Sequence, residues 1–371
     1  MNYIKSIIIF ILVGLFNPLY AINGDSPFQC DAIPYMVIGQ HSMLEEMDRR
    51  NFVENNISYI DAYDENVTIN NLRVNGIAYN ILDNYIYGRV TTEYNTTSGN
   101  SEHNLSIGDI IRLEKDGNIT RIGHDLNGTN VHGNALTEEN IKYKNSNLFT
   151  GTMDSKGIYY TLHYGALYRT NIEQNASQDS IKDKNITRVV LKFLDSDGQY
   201  KNIWEKPLHK WKEQPLDITF NVKNKKIYGL ALDKNDTIRL YSIDTILDHN
   251  QAKVRIVDVS LNSPSLGHAG GAWSTSNGTL YFYQNATDKS NLYKVDVSST
   301  PATITKVSDE VNDNKYFDAT ACRPPYVTKK AQERFVSPDS NLTYTFEIHN
   351  PFTKEINVTF TDNLVDRKSV V

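Results

Sequence analysis

Short apolar and aromatic runs, each broken by a polar turn, recur along this chain in a fixed order. The pattern is clearest at Gly76-Ile77-Ala78-Tyr79-Asn80, followed by Leu82-Asp83-Asn84 and then Tyr85-Ile86-Tyr87-Gly88. Asp and Asn side chains bond readily to nearby backbone, so the stretch predicts a β-hairpin that turns at Asp83-Asn84. The chain repeats it. Gly151-Thr152-Met153-Asp154 precedes Gly157-Ile158-Tyr159, Ile218-Thr219-Phe220-Asn221 precedes Lys226-Ile227-Tyr228-Gly229, and Gly271-Ala272-Trp273-Ser274 precedes Thr279-Leu280-Tyr281. A fifth, unfinished copy ends at Ala319-Thr320-Ala321-Cys322. In every copy a small residue (Ala78, Thr152, Thr219, Ala272, Thr320) leads a larger apolar one, with Ala321 filling that slot last. A polar residue (Asn80, Asp154, Asn221, Ser274) then opens the turn.

Two more alternating runs follow each hairpin. They lie at 110–113 and 119–122, 166–169 and 188–193, 238–241 and 254–259, and, for the last unit, 291–295 and the residues up to 307. Asp116-Gly117, between the first two, is a strong hairpin signal. A repeated unit of four strands with almost no helical periodicity predicts an all-β chain folded as a β-propeller. The small residues lie 74, 67, 53 and 48 apart. The shorter spacings suit a blade of about 40–50 residues, and the longer ones need loop insertions such as 91–106 and 123–145. The expectation is five blades, or six if 195–214 hold a degenerate unit. The alternative is a β-sandwich with accidental repetition. Small residues suit inner strands because those strands converge on the axis.

The N-terminal strands expected at 33–39, 42–47 and 57–60 lack an inner strand of their own. The unfinished copy at 316–322 supplies it, so that one blade combines strands from both chain ends and the ring closes without an unpaired edge. Cys30 and Cys322 then flank the place where the other blades have a turn, and an oxidising compartment would join them. Closing so long a loop contributes about 4–5 kcal/mol in the chain-entropy account. The alternative is two free buried thiols.

Composition narrows the function. The net charge is −6, with Lys and Arg scattered rather than clustered, which argues against a nucleic-acid surface. Lys5, the apolar run 7–16 and Pro18-Leu19-Tyr20-Ala21 predict a signal peptide over residues 1–21, because the run is short for a bilayer span of about 20 residues. A retained membrane anchor is the alternative. Asn-x-Ser/Thr sequons such as Asn56, Asn118, Asn185 and Asn277 are frequent. An Asn- and Thr-rich chain produces these by chance, so they carry little weight, and they count only where the host glycosylates.

Cys30, the run 34–38, the hairpin 75–88, 270–280 and Asp318-Ala319-Thr320-Ala321-Cys322 together resemble a propeller-like domain of unknown function found in secreted bacterial and lower-eukaryotic proteins. The resemblance implies a propeller over about residues 28–325. Arg323-Pro324-Pro325 then reads as a stiff linker. The strictly alternating runs 344–350 and 357–364 resemble the first half of the immunoglobulin-like repeat of bacterial surface proteins, which implies a stalk beginning at 326–365. About 40 residues are too few for a complete sandwich. The last six residues, Asp366-Arg367-Lys368-Ser369-Val370-Val371, read like a translated sequencing-library adapter, so the genuine sequence is expected to stop near Val365, with the stop codon an artefact and the native protein continuing through more surface repeats.

No nucleophile elbow, phosphate loop, zincin helix or dinucleotide fingerprint is present. Gly267-His268-Ala269-Gly270-Gly271 leads into a strand, not a phosphate-holding helix. Asp195-x-Asp197-Gly198 starts like a calcium loop, but Lys206 stands where a bidentate Glu is required. Candidate axial residues are Asp217 and Asp318, which share a slot on two inner strands and could bind a cation or act as an acid/base pair. His124 and His132, in one loop with Asp125, are the other candidates. The bland readings are inter-blade hydrogen bonding for the carboxylates and solvated loop positions for the histidines. The expectation is a non-catalytic, secreted or surface-displayed recognition and adhesion scaffold. It would carry no metal or cofactor and bind a protein or glycan partner, with no nucleic acid and no membrane span once the signal is removed. A propeller lyase or glycoside-active enzyme, or a lectin, is the alternative.

Overall fold

The computed structural model describes residues 26–38, 43–47, 54–59, 73–91, 105–123, 150–163, 166–194, 200–201, 215–232, 237–261, 269–284, 290–310, 317–331 and 343–351, apart from a few positions within them. The expected signal peptide, His124, His132 and the run after 356 lie outside these residues.

The fold is a β-propeller. Strands β1 (Pro34–Ile38), β2 (Met43–Met47) and β3 (Glu54–Tyr59) open the chain, followed by the antiparallel meander β4 (Val74–Asn80), β5 (Tyr85–Val90), β6 (Ile110–Leu113) and β7 (Ile119–Gly123). The next meander is β8 (Thr150–Met153), β9 (Ile158–His163), β10 (Ala166–Asn171) and β11 (Ile186–Leu194), with the short β12 (Tyr200–Lys201) paired to β11. Then come β13 (Ile218–Asn221), β14 (Lys226–Leu232), β15 (Ile238–Asp244) and β16 (Gln251–Val257). After β17 (Val259–Leu261), the meander of β18 (Ala269–Ser274), β19 (Leu280–Gln284), β20 (Ser290–Asp296) and β21 (Ala302–Glu310) is followed by β22 (Phe317–Ala321).

Strand β22 pairs antiparallel with β1, from Pro34 opposite Ala321 to Ile38 opposite Phe317, and so completes the first sheet as β22-β1-β2-β3. This is the closure expected from the unfinished fifth copy. The inner strands touch in a closed cycle, β22 to β4, β8, β13, β18 and back to β22. Among the described residues five four-stranded units therefore surround the axis.

In three of the blades the polar residue at the end of the inner strand builds the turn after it. Asn80 accepts from the Leu82 amide (3.1 Å), Asp154 from Lys156 (2.8 Å) and Asn221 from Lys223 (2.9 Å), which is the local bonding that lets Asn and Asp fold a chain back on itself. Inner strands such as β8 and β13 are buried at every position, because neighbouring blades cover both of their faces. The outer strand β16 alternates exposed and buried residues, as a sheet with one wet face does.

Two joins are not visible in the sequence pattern. Strand β16 lies parallel to β11, with Val190 opposite Gln251 through Phe193 opposite Val254, so the outer strands of adjacent blades merge into one nine-stranded sheet. Strand β17 likewise lies parallel to β21. The run read as one strand at 254–259 is thus two, because β16 stops at Val257 and Val259 begins a strand of the next blade. Each join gives an outer edge a hydrogen-bonding partner.

Cys30 and Cys322 are disulfide-bonded. Around this latch Phe28 meets Tyr35 edge-on at 4.8 Å, and Tyr79 lies over Tyr35 at 6.4 Å. Beyond the ring, β23 (Tyr326–Ala331) pairs with β24 (Tyr344–His349) as a two-stranded hairpin. Among the described residues no helix is long and apolar enough to cross a membrane.

Candidate functional site at the ring axis

In the register of the repeat, the position two residues before each small inner-strand residue holds Gly76, Thr150, Asp217, Gly270 and Asp318. Backbones approach closely at this level. Gly76 has φ +68°, and a Cβ added to Gly151 would collide with the Gly76 carbonyl oxygen, so both positions require glycine. The close approach lets the Tyr159 hydroxyl donate to that same carbonyl at 2.5 Å.

Asp217 and Asp318 meet here. Both are 1% exposed, and each carboxyl group shifts the titration of the other. Asp217 Oδ1 accepts from the Thr150 hydroxyl of the adjoining blade (2.5 Å) and from the Ile218 amide (2.8 Å). Asp318 Oδ2 accepts from the Ile77 amide, again across a blade boundary (2.7 Å), and Oδ1 accepts from Ala319 (2.8 Å). Burial and then the Asp318 charge push Asp217 well above the usual carboxylate range. Burial also raises Asp318, to about 7, against the pull of its amide donors and of Asp217. Asp217 Oδ2 has no conventional donor. An acid proton on that oxygen, given to Asp318, satisfies both groups. Sharing one proton, the two acids form a carboxyl–carboxylate clasp that titrates as a pair.

The same device is repeated one level along the axis with neutral groups. Thr320 Oγ1 accepts from the Tyr79 amide and Thr152 Oγ1 from the Phe220 amide, both at 2.9 Å. Further on, the Ser274 hydroxyl donates to the Phe220 carbonyl (2.5 Å) and Asn221 Nδ2 to the Gly278 carbonyl (2.9 Å). Side-chain oxygens at the slots of the repeat thus stitch neighbouring blades together, where no sheet ladder can.

Arg323 closes this end of the axis. It is buried, its Nη2 donates to the Met153 carbonyl at 2.7 Å, and its guanidinium lies 5.5 Å over the Phe220 ring. Burial lowers its pKa to about 10, with Asp154 opposing, so it stays charged at neutral pH. The Ser276 hydroxyl bonds the Pro324 carbonyl. Arg323-Pro324 therefore belongs to the ring instead of acting as a free linker, because a carbonyl at the end of β8 needs a donor and the guanidinium reaches it. Arg323→Ala is expected to cost about 1–3 kcal/mol by leaving that buried carbonyl unpaired, read as a lower urea midpoint. Arg323→Lys should recover part of the loss.

Of the four candidates, the structure brings Asp217 and Asp318 together. Thr150 was missed although it sits in the same repeat slot, and aligning the copies at that slot would have found it. Tyr159 shares a repeat slot with Tyr87, Tyr228 and Tyr281 and was passed over as a strand residue, whereas Arg323 lies outside the repeated positions and carried no signal. No group of three or more metal-ligating side chains occurs among the described residues.

A family profile described as a repeat of unknown function, DUF6923, matches residues 52–324. The chain belongs to the DUF6923 family. No curated protein matches it. Solved structures similar to this DUF6923 chain include a protein of unknown function from Bacteroides thetaiotaomicron VPI-5482, at 13% identity and TM-score 0.41, covering 81% of this chain and 68% of that one. A Bacteroides fragilis NCTC 9343 protein provisionally named a 6-phosphogluconolactonase matches at 13% identity and TM-score 0.35, covering 77% and 84%. YCF48 bound to D1 peptide matches at 8% identity and TM-score 0.30, covering 93% and 97%.

Proposed function

We propose that this DUF6923 protein is a non-catalytic extracellular recognition scaffold, with the propeller of residues 28–325 as its head and 326–365 as the start of a stalk. One observation carries the non-catalytic part. The two axial carboxyl groups are sealed at 1% exposure and bonded to neighbouring blades. A catalytic acid/base pair has to reach a substrate atom, and this pair is occupied in holding the ring. The disulfide supports an oxidising, extracellular setting, and the mildly acidic surface suits a protein or glycan partner better than a polyanion. The competing reading, a propeller enzyme or lectin, places the action at an axial mouth instead.

Arrays of glycans and extracellular proteins, probed with the secreted full chain, test the proposal. Saturable binding that is unchanged in Asp217→Asn is expected. Hydrolysis of sugar lactones or glycosides that disappears in Asp217→Asn would replace the scaffold reading with the enzymatic one, and an array without hits would sink recognition.

A further inference from the structure

The chain holds 13 Asn-x-Ser/Thr sequons among 40 Asn and 54 Ser plus Thr in 371 residues. Shuffling the same residues gives about six such sequons, so composition accounts for less than half of them. The fully buried Asn80 and Asn221, which build turns and bridge blades, are not in sequons. The sequon residues Asn118 and Asn277 are exposed, and Asn185 is half-buried.

Asn277 is the best-defined acceptor. It sits at the tip of the β18–β19 turn, with Gly278 at φ +82°. Its Oδ1 accepts from the Thr275 hydroxyl (2.5 Å) and from the Thr279 amide (3.1 Å), which folds the sequon into an Asx turn. These bonds hold the carboxamide by its oxygen and leave Nδ2 directed away from them, with the Thr279 hydroxyl also unengaged. We infer that Asn277 is an acceptor for N-linked glycosylation, with Asn118 and Asn185 as further acceptors. In the reaction Asn277 Nδ2 attacks the anomeric carbon of a lipid-diphosphate-linked oligosaccharide. The N–C bond forms, the C–O bond to phosphate breaks, the lipid diphosphate leaves, and the amide nitrogen gives up one proton.

The topology places the three on one side. In an antiparallel meander the turns after the first and third strands lie at the same end. Asn277 lies after β18, Asn118 after β6, and Asn185 between β10 and β11. That end also carries the Cys30–Cys322 latch, because Cys322 follows the inner strand β22. Glycans would cover this face and leave the opposite face for a ligand.

The inference rests on the extracellular reading, and one experiment separates the two. The full chain with its own N-terminal segment is expressed in a eukaryotic secretory host, and the medium is analysed by intact mass and glycopeptide mapping. A glycan on Asn277, lost in Thr279→Ala and kept in Thr279→Ser, is expected. Secreted, disulfide-bonded protein with unmodified Asn277 overturns the glycosylation alone. A chain that never reaches the medium overturns the extracellular reading beneath it.

Discussion

Asp217→Asn is expected to fold and to lose most of the pH dependence of stability, while Asp318→Asn destabilises the ring at every pH. The two acids differ in what their oxygens accept. Asp217 Oδ1 takes both donors, Thr150 and Ile218, and Oδ2 has no conventional donor. An Asn side chain reproduces this, with its Nδ2 donating to Asp318 where the acid proton did. Asp318 uses one oxygen for Ile77 and the other for Ala319. Asn there turns one acceptor into a donor facing an N–H, which costs about 1–3 kcal/mol.

The sign of the pH effect follows from burial, which raises both carboxyls above their unfolded values of about 4, and from the Asp318 charge, which raises Asp217 further. Between about pH 4 and 7 the native state keeps protons that the unfolded chain has released, so stability falls as pH rises. The full contribution is present below pH 4, and for Asp318 it is lost by about pH 7. Asp217 continues the decline above that pH, being raised well above the usual range. The other groups acting on the pair are neutral donors, namely the Thr150 hydroxyl and the amides of Ile218, Ile77, Ala319 and Gly76. Thermal melts of wild type and Asp217→Asn at pH 5, 7 and 9, at fixed ionic strength, should diverge as pH rises. Parallel curves would show that no proton is held in the clasp.

Opening the Cys30–Cys322 bond should cost up to about 5 kcal/mol, since it closes a loop with a sequence separation of 292. The prediction is for Cys30→Ala or for full reduction, and a large drop in Tm is the expected reading. The bond sits beside strand pairing that already joins the chain ends along five residue pairs of β1 and β22. If reduction leaves Tm unchanged, those ladder bonds and the clasp hold the ring unaided.

The inner strands were legible because three constraints coincide there: small residues toward a crowded axis, an aromatic or apolar neighbour between blades, and an Asn or Asp that must fold the next turn. The closing strand was legible for the same reason, since 317–321 repeats the inner-strand pattern without the hairpin that should follow. The parallel joins of β11 with β16 and of β17 with β21 were not legible. Outer strands pair according to how two finished blades lean on one another, and Val254, Ile256 and Val259 read alike whichever blade owns them. Asp217 and Asp318 could be named as axial, but that they face each other required the ring to be closed. Arg323 was hidden because arginine before two prolines looks like linker, and only the unpaired carbonyl of Met153 explains its burial.

The position of the latch decides how the head responds to tension. A pull on the chain beyond Pro325 first meets Arg323, anchored on β8, and Ser276, holding the Pro324 carbonyl. It then reaches Cys322, where the covalent bond to Cys30 passes the force to the start of the chain before β22 is loaded. The ring can therefore be dragged by its C-terminal side without peeling its closing strand.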